Sequence, residues 1–267
     1  MMEMDRRKFL KVIGISSIAA IGSDSLFELI YPKSIGAIAE EAGKKGGIQW
    51  AIAMDMNLIT DEILDRCIEE CHKLHNVPNI GNSEEEIKWI WKEEYEHAFP
   101  DQKHEYVAEK LKTRLFPLLC NQCTNPPCVR VCPTKATWKR KDGIVMMDWH
   151  RCIGCRFCMA ACPFGARSFN WWDPRKADPK LNPEFPTNMD YPTRTKGVVE
   201  KCTFCNERID KGQIPRCVEV ANEMKEGSMI FGNILDSESE IRSVLNKRFS
   251  LRRKPELGTG PNIFYMI

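Results

Sequence analysis

The spacing of the cysteines constrains this chain more than anything else in it. Thirteen cysteines occur in 267 residues, and eleven of them fall into three tight blocks. The first block is Cys120-x2-Cys123-x4-Cys128-x3-Cys132-Pro133, the second is Cys152-x2-Cys155-x2-Cys158-x3-Cys162-Pro163, and the third is Cys202-x2-Cys205-x11-Cys217. Cysteines in such numbers imply either a disulfide framework or metal ligation. An odd count and repeated Cys-x-x-Cys steps favour metal, because residues that close converge on one centre more readily than they pair across a fold. Two closed zinc sites with four thiolates each would satisfy the count of the first two blocks, but they would not call for two Cys-Pro endings.

A run of four cysteines with proline after the last resembles the bacterial ferredoxin pattern. In that pattern the first three thiolates hold one cubane and the fourth reaches across to its neighbour. The resemblance implies one [4Fe-4S] cluster on Cys120, Cys123, Cys128 and Cys162, and a second on Cys152, Cys155, Cys158 and Cys132. Soft thiolates suit iron–sulfur clusters, and turns between close cysteines aim backbone N–H groups at the sulfurs. Each proline follows a crossing cysteine, where it ends the local helix and turns the chain.

The third block lacks its fourth thiolate, since the residue four beyond Cys217 is Ala221. The remaining cysteines, Cys67 and Cys71, have the x3 separation of the last two ligands in a ferredoxin block. On that register Cys71 completes a third cluster with Cys202, Cys205 and Cys217. A fourth cluster would fall on Asp61, Leu64, Cys67 and Ala221, which cannot hold a cubane, so three clusters are expected and Cys67 is left over. Two alternatives stay open. Cys67 lies one helical turn from Cys71 and could replace it, or the third block could carry a three-iron cluster.

The N-terminus predicts export. Asp5-Arg6-Arg7-Lys8-Phe9-Leu10-Lys11 precedes the short, weakly apolar run Val12 to Ala20, and Ala37-Ile38-Ala39 offers a cleavage site. The paired arginines resemble a twin-arginine signal, although Asp5 departs from the usual Ser or Thr. That route carries folded cargo, which suits a protein loaded with clusters in the cytoplasm. The apolar run is shorter than the ~20 residues of a spanning helix, and no later stretch is long enough. An extracytoplasmic protein held at the membrane by its partners is the expectation. The formal net charge of +2 gives no reason to expect a nucleic-acid ligand.

The fold class read from the sequence is α+β, with two dicluster ferredoxin modules, one inserted in the other, a helical insertion and an extended C-terminal tail. Residues 1–39 form the signal, 48–116 the first half of the outer module with the insertion, and 117–170 the inner module. Residues 171–196 form a loop, 197–235 the second half of the outer module, and 236–267 a helix and a partner-docking tail. Residues 48–55 read as a strand and Asp61 to His75 as a helix. A second helix is predicted from Ser83, with Ile87, Ile90, Trp91 and Ala98 on one face and the segment packed outside. Asp142-Gly143 between apolar flanks predicts a hairpin. His72 and His75 read as surface or hydrogen-bonded residues, the tryptophans as packing and cluster shielding, and Arg252-Arg253-Lys254 as solvated or partner-facing.

The whole arrangement resembles the four-cluster ferredoxin-like subunits of membrane oxidoreductases. The residues that carry the likeness are Cys120-Asn121-Gln122-Cys123-Thr124-Asn125-Pro126-Pro127-Cys128 and Val199-Glu200-Lys201-Cys202-Thr203-Phe204-Cys205. Within that group the paired arginines, the run from Cys71 to Pro78, the lost fourth site and the Pro255–Pro261 tail look most like the DsrO/HmeA-type subunits of DsrMKJOP (Hme) complexes. The resemblance implies an NrfD-like integral membrane partner that interacts with quinone, a multihaem cytochrome c partner, further subunits of the complex, and a link to sulfite reduction. It implies single-electron transfer, with no catalytic site and no small-molecule substrate of the chain's own. The other reading is an electron-transfer subunit of a molybdopterin oxidoreductase of the polysulfide or tetrathionate reductase type.

Overall fold

A computed structural model describes residues 47–267 of the chain, so the export signal expected at 1–39 lies outside the described residues. In chain order the elements are β1 (Trp50–Asp55), α1 (Asp61–Leu74), β2 (Ile90–Glu94), α2 (Tyr95–Ala98), α3 (Glu109–Lys112), β3 (Leu115–Leu119), α4 (Pro127–Arg130), β4 (Thr137–Lys139) and β5 (Val145–Met147). They continue with α5 (Phe157–Ala160), β6 (Ser168–Phe169), β7 (Val199–Glu200), α6 (Asn206–Ile209), α7 (Arg216–Met224), β8 (Met229–Asn233), α8 (Glu240–Lys247), β9 (Ser250–Leu251) and β10 (Ile263–Met266). No described helix is long and apolar enough to cross a membrane.

The main sheet has the order β8-β1-β10-β9, with β1 parallel to β10 and the other pairs antiparallel. The sequence of β1, Trp-Ala-Ile-Ala-Met-Asp, explains its central place, because a strand covered on both faces needs apolar residues at successive positions. Ile52 and Met54 point into the principal core, and Ala51 and Ala53 point into a smaller one under α8. β10 follows the same alternation, with Ile263 and Tyr265 on the first face and Phe264 and Met266 on the second. Gly232 in β8 permits the close approach of α8, since a Cβ there would lie 2.9 Å from Ile241.

Helix α1 matches the sequence expectation. Thr60 caps it by accepting from the Ile63 N–H, Asp61 and Glu62 fill its first turn, and His72 and Lys73 its last. Leu64, Cys67 and Cys71 form its buried stripe, which packs against α7. The Asp142-Gly143 hairpin is present as β4–β5, with Gly143 at φ +87°. Residues 171–196 are irregular apart from a short 3-10 turn at Pro174–Lys176.

Four sequence expectations are corrected. No helix starts at Ser83: Ile90–Glu94 is a strand paired with β3, followed only by the single turn of α2. Three consecutive glutamates supplied no apolar face at the start of that helix. The aromatic and β-branched run Ile87-Lys88-Trp89-Ile90-Trp91 fits a strand better. The segment is not an external insertion either, because Trp89, Phe99 and Phe116 are fully buried in the principal core. The apolar C-terminal residues are not free for a partner, since β10 is an interior strand whose four side chains are all buried. Finally, Arg253 and Lys254 of the basic run turn inward. Arg253 Nε donates to the Ala98 carbonyl at 2.8 Å and Lys254 Nζ to the Pro163 carbonyl at 2.9 Å.

Candidate metal centres

All thirteen cysteines are free thiols. Each Cys-x-x-Cys step uses the same backbone device. The residue just before the second cysteine is left-handed in all three blocks: Gln122 at φ +44°, Gly154 at +70° and Phe204 at +64°. Lys135 at +55° and Gly165 at +65° repeat a second device, three residues after Cys132 and Cys162. A non-glycine residue in this region costs about 1–2 kcal/mol. Such turns aim successive N–H groups into one concavity, which suits anionic sulfur. The Phe204 N–H already points at Cys202 Sγ at 3.3 Å, and the Val199 N–H at Cys152 Sγ at 3.5 Å.

The fold gathers twelve thiols into three groups. Cys123 and Cys162 feel the charges of Cys120 and Cys128. Cys132, Cys152, Cys155 and Cys158 line one cavity together with Thr137 and Met147. Cys71 feels Cys205, Cys202 and Cys217, and more weakly Cys67. The first group abuts both others, through Cys120 beside Cys202 and Cys128 beside Cys158. Crossing cysteines thus meet partners from other blocks, as the ferredoxin pattern expects.

Burial is the largest influence on most of these thiols. It pushes Cys71, Cys205 and Cys217 well above the ordinary thiol range, with neighbouring thiols adding to the rise. Cys202 is pushed up to about 12 by burial and then by Cys120. Cys132, at the more open group, is lowered instead: its burial is outweighed by hydrogen bonds from Thr137, Thr134 and Ala136. Four buried thiols that repel one another as anions make a poor metal-free site and a good iron site, because ligation replaces the protons with a cationic core. The donor sets therefore fit iron–sulfur clusters.

Nothing comparable exists where a fourth cluster would stand. Leu64, Cys67 and Ala221 are buried at the contact of α1 with α7, and Asp61 is exposed. The Cys67 thiol donates to the Cys217 carbonyl at 3.2 Å, and burial raises it to about 12. It lies beside the third group as a protonated thiol, while Cys71 faces the group's three other sulfurs.

Several residues outside the ligand sets support the groups. His75 is buried, with Nδ1 2.8 Å from the Cys71 carbonyl and 3.6 Å from Cys71 Sγ, and Nε2 3.0 Å from Glu207. The carbonyl can only accept, so Nδ1 carries the hydrogen. This is the hydrogen-bonded role expected for that histidine. His72 is held neutral, pushed down to about 4 by burial. Gln122 joins two blocks and the hairpin, donating to the Cys202 carbonyl at 3.2 Å and accepting from Val145 N–H at 2.8 Å. Glu200 is fully buried between Arg194, Trp89 Nε1 and Asn170, each at 2.6 Å. The group at Cys152 is the one nearest solvent, bordered by Ile153 and Phe157, which are 65% and 59% exposed.

Comparison with known proteins points to iron–sulfur chemistry. A 4Fe-4S dicluster domain model matches residues 111–178. The Hdr-like menaquinol oxidoreductase iron–sulfur subunit 1 of Archaeoglobus fulgidus is 39% identical, covering 98% of this chain and 97% of its own length. The menaquinone reductase iron–sulfur cluster-binding subunit of Nitratidesulfovibrio vulgaris is 31% identical over 84% of this chain and 90% of its own. A tetrathionate reductase subunit of Salmonella typhimurium is 38% identical over 60% of this chain and 54% of its own length.

Proposed function

The chain belongs to the ferredoxin-like iron–sulfur subunits of membrane oxidoreductases, of the DsrO/HmeA type, and on that footing we propose that it relays electrons through three [4Fe-4S] clusters. The ligand sets are Cys120, Cys123, Cys128 and Cys162; Cys132, Cys152, Cys155 and Cys158; and Cys71, Cys202, Cys205 and Cys217. The observation that carries this is the shared left-handed turn at Gln122, Gly154 and Phe204. The third block, which lacks a cysteine of its own, adopts the cradle of the two complete ones and finds its fourth thiol in Cys71.

When bound, such a cluster accepts and releases one electron without making or breaking a bond to substrate. The chain's residues fix the spacing, exclude water and orient N–H groups at the sulfurs. Because the Cys120 group adjoins both others, the two outer groups are the exits. The Cys152 group, with its exposed apolar rim, faces one partner, and the Cys71 group serves the other. Two ferredoxin modules, one inserted in the other, account for the pairing of α1 with α7 around the inner blocks.

We assign the partners as a quinone-interacting NrfD-like protein of the membrane and a multihaem cytochrome c. The first is supported by the menaquinol and menaquinone named for the two near full-length relatives. Export by the twin-arginine signal places the chain on the outer face of the membrane, in a complex linked to sulfite reduction. Service to a molybdopterin reductase is the second reading, favoured by the likeness to the tetrathionate reductase relative. Purification of the complex with its components identified separates them. In that complex Cys202→Ser is expected to abolish quinol-to-cytochrome electron transfer, and full transfer would refute the assignment of the third group as an exit.

A further inference from the structure

Two cations lie in the interior among the thiol groups. Arg167 is 5% exposed and Lys201 is 0% exposed. Among the described residues neither has a carboxylate within ion-pair distance, whereas Arg194, equally buried, is met by Glu200. Arg167 Nη2 donates to Thr137 Oγ1 at 2.8 Å, and its Nη1 lies 3.6 Å from Met147 Sδ. Lys201 Nζ donates to the carbonyls of Val145 and Cys202, the latter at 2.7 Å. Carbonyl, hydroxyl and thioether dipoles satisfy the donors but leave the net charge uncompensated, and burying an uncompensated charge is strongly unfavourable.

The anions that can meet these charges are the thiolates. Thr137 and Met147, the two partners of Arg167, line one cavity with Cys132, Cys152, Cys155 and Cys158, and Cys128 of the first group lies beside Cys158. Cys128 belongs to one group and Cys158 to the next, so Arg167 stands at their junction. Lys201 precedes Cys202, and its Nζ lies 2.7 Å from the carbonyl of that residue. The same carbonyl of Cys202 also accepts from Gln122, which ties Lys201 to the junction of the Cys202 and Cys120 groups.

We propose that Arg167 and Lys201 are built-in counter-ions of the metal centres, one at each junction, and that they raise the reduction potentials of the clusters they adjoin. The inference rests on the three ligand sets assigned above. Each reduction adds one electron, so a four-thiolate cluster becomes more negative by one charge. A fixed buried cation stabilises the reduced form more than the oxidised one. The charges also explain why the interior tolerates three groups of anionic sulfur in one small fold.

The test is a potentiometric titration of the purified, cluster-loaded protein with dithionite and mediators, followed by low-temperature EPR, with iron measured on every sample. Arg167→Gln is expected to lower the potentials of the two clusters at its junction and to leave the Cys71 cluster in place. Lys201→Gln is expected to lower chiefly the cluster that contains Cys202. Arg167→Lys keeps the charge and is expected to keep both potentials near those of the unaltered protein. Unshifted potentials in an Arg167→Gln protein with its full iron would overturn the proposal. If Arg167→Gln loses its iron, Arg167→Lys decides: a fall in both potentials with the charge retained refutes a charge-based role. Iron below three cubanes in the unaltered protein is instead a failure of the ligand assignment.

Discussion

Deleting residues 261–267 separates two roles for the C-terminus, a surface tail for a partner and a structural strand. The structure predicts collapse. The deletion removes β10, the strand between β1 and β9, with Ile263, Phe264, Tyr265 and Met266 all buried. Full burial of such a side chain contributes about 1.5–3 kcal/mol, so four of them contribute roughly 6–12 kcal/mol. A domain's whole stability is about 5–15 kcal/mol. The loss reaches the first cysteine block too, because the Asn262 N–H donates to the Asn121 carbonyl at 2.9 Å and its Nδ2 to the Gln122 carbonyl at 2.7 Å. Thermal unfolding and iron analysis of the isolated protein, free of partners, measure the effect. The truncated chain is expected to be recovered unfolded or without iron. The milder Tyr265→Phe, which removes the bond to the Pro117 carbonyl at 2.9 Å, is expected to cost about 1–3 kcal/mol. A truncated protein with unchanged melting temperature and full iron would refute the reasoning and return the tail to a docking role.

Other substitutions test other parts of the account. Cys71→Ser is expected to remove one cluster, about four irons, while Cys67→Ser keeps the full complement, as iron analysis of both proteins checks. Glu200→Gln leaves the Arg194 guanidinium buried without its counter-charge and is expected to destabilise by about 3–5 kcal/mol, measured by denaturant titration. Asp55 is lowered because its bonds to Arg248 and to the Asn57 N–H outweigh the opposing effect of burial. A depressed carboxyl stabilises the fold above its unfolded value of about 3.9, and that contribution is lost as pH falls through the folded value. Asp55→Asn is therefore expected to weaken the protein at neutral pH and to lose less than the unaltered protein below pH ~4.

The thiol groups were legible because spacing survives in one dimension. Register set Cys71 beside a block more than a hundred residues away, with Cys67 one turn off left open, and Asp61 to His75 read as a helix. What the sequence hid was long-range or electrostatic. Residues 263–266 are apolar at the chain's end whether they dock on a partner or pair with Ile52, and only the parallel register Ile52↔Ile263 decides it. The segment after Ser83 carries Ile87, Ile90, Trp91 and Ala98 at a spacing that also suits a helical face, and pairing with Leu115–Leu119 chose the strand. Arg253 read as solvated or partner-facing and the burial of Arg167 and Lys201 gave no sign, because burial of a cation depends on carbonyls and thiols brought from elsewhere in the chain.

The most direct test of the central claim is iron and acid-labile sulfide per chain on anaerobically purified protein, with low-temperature EPR of the reduced form. Three cubanes predict about twelve irons, four for each cluster. About eight irons, or about eleven with a three-iron signal in the protein as isolated, would contradict the completion of the third site by Cys71.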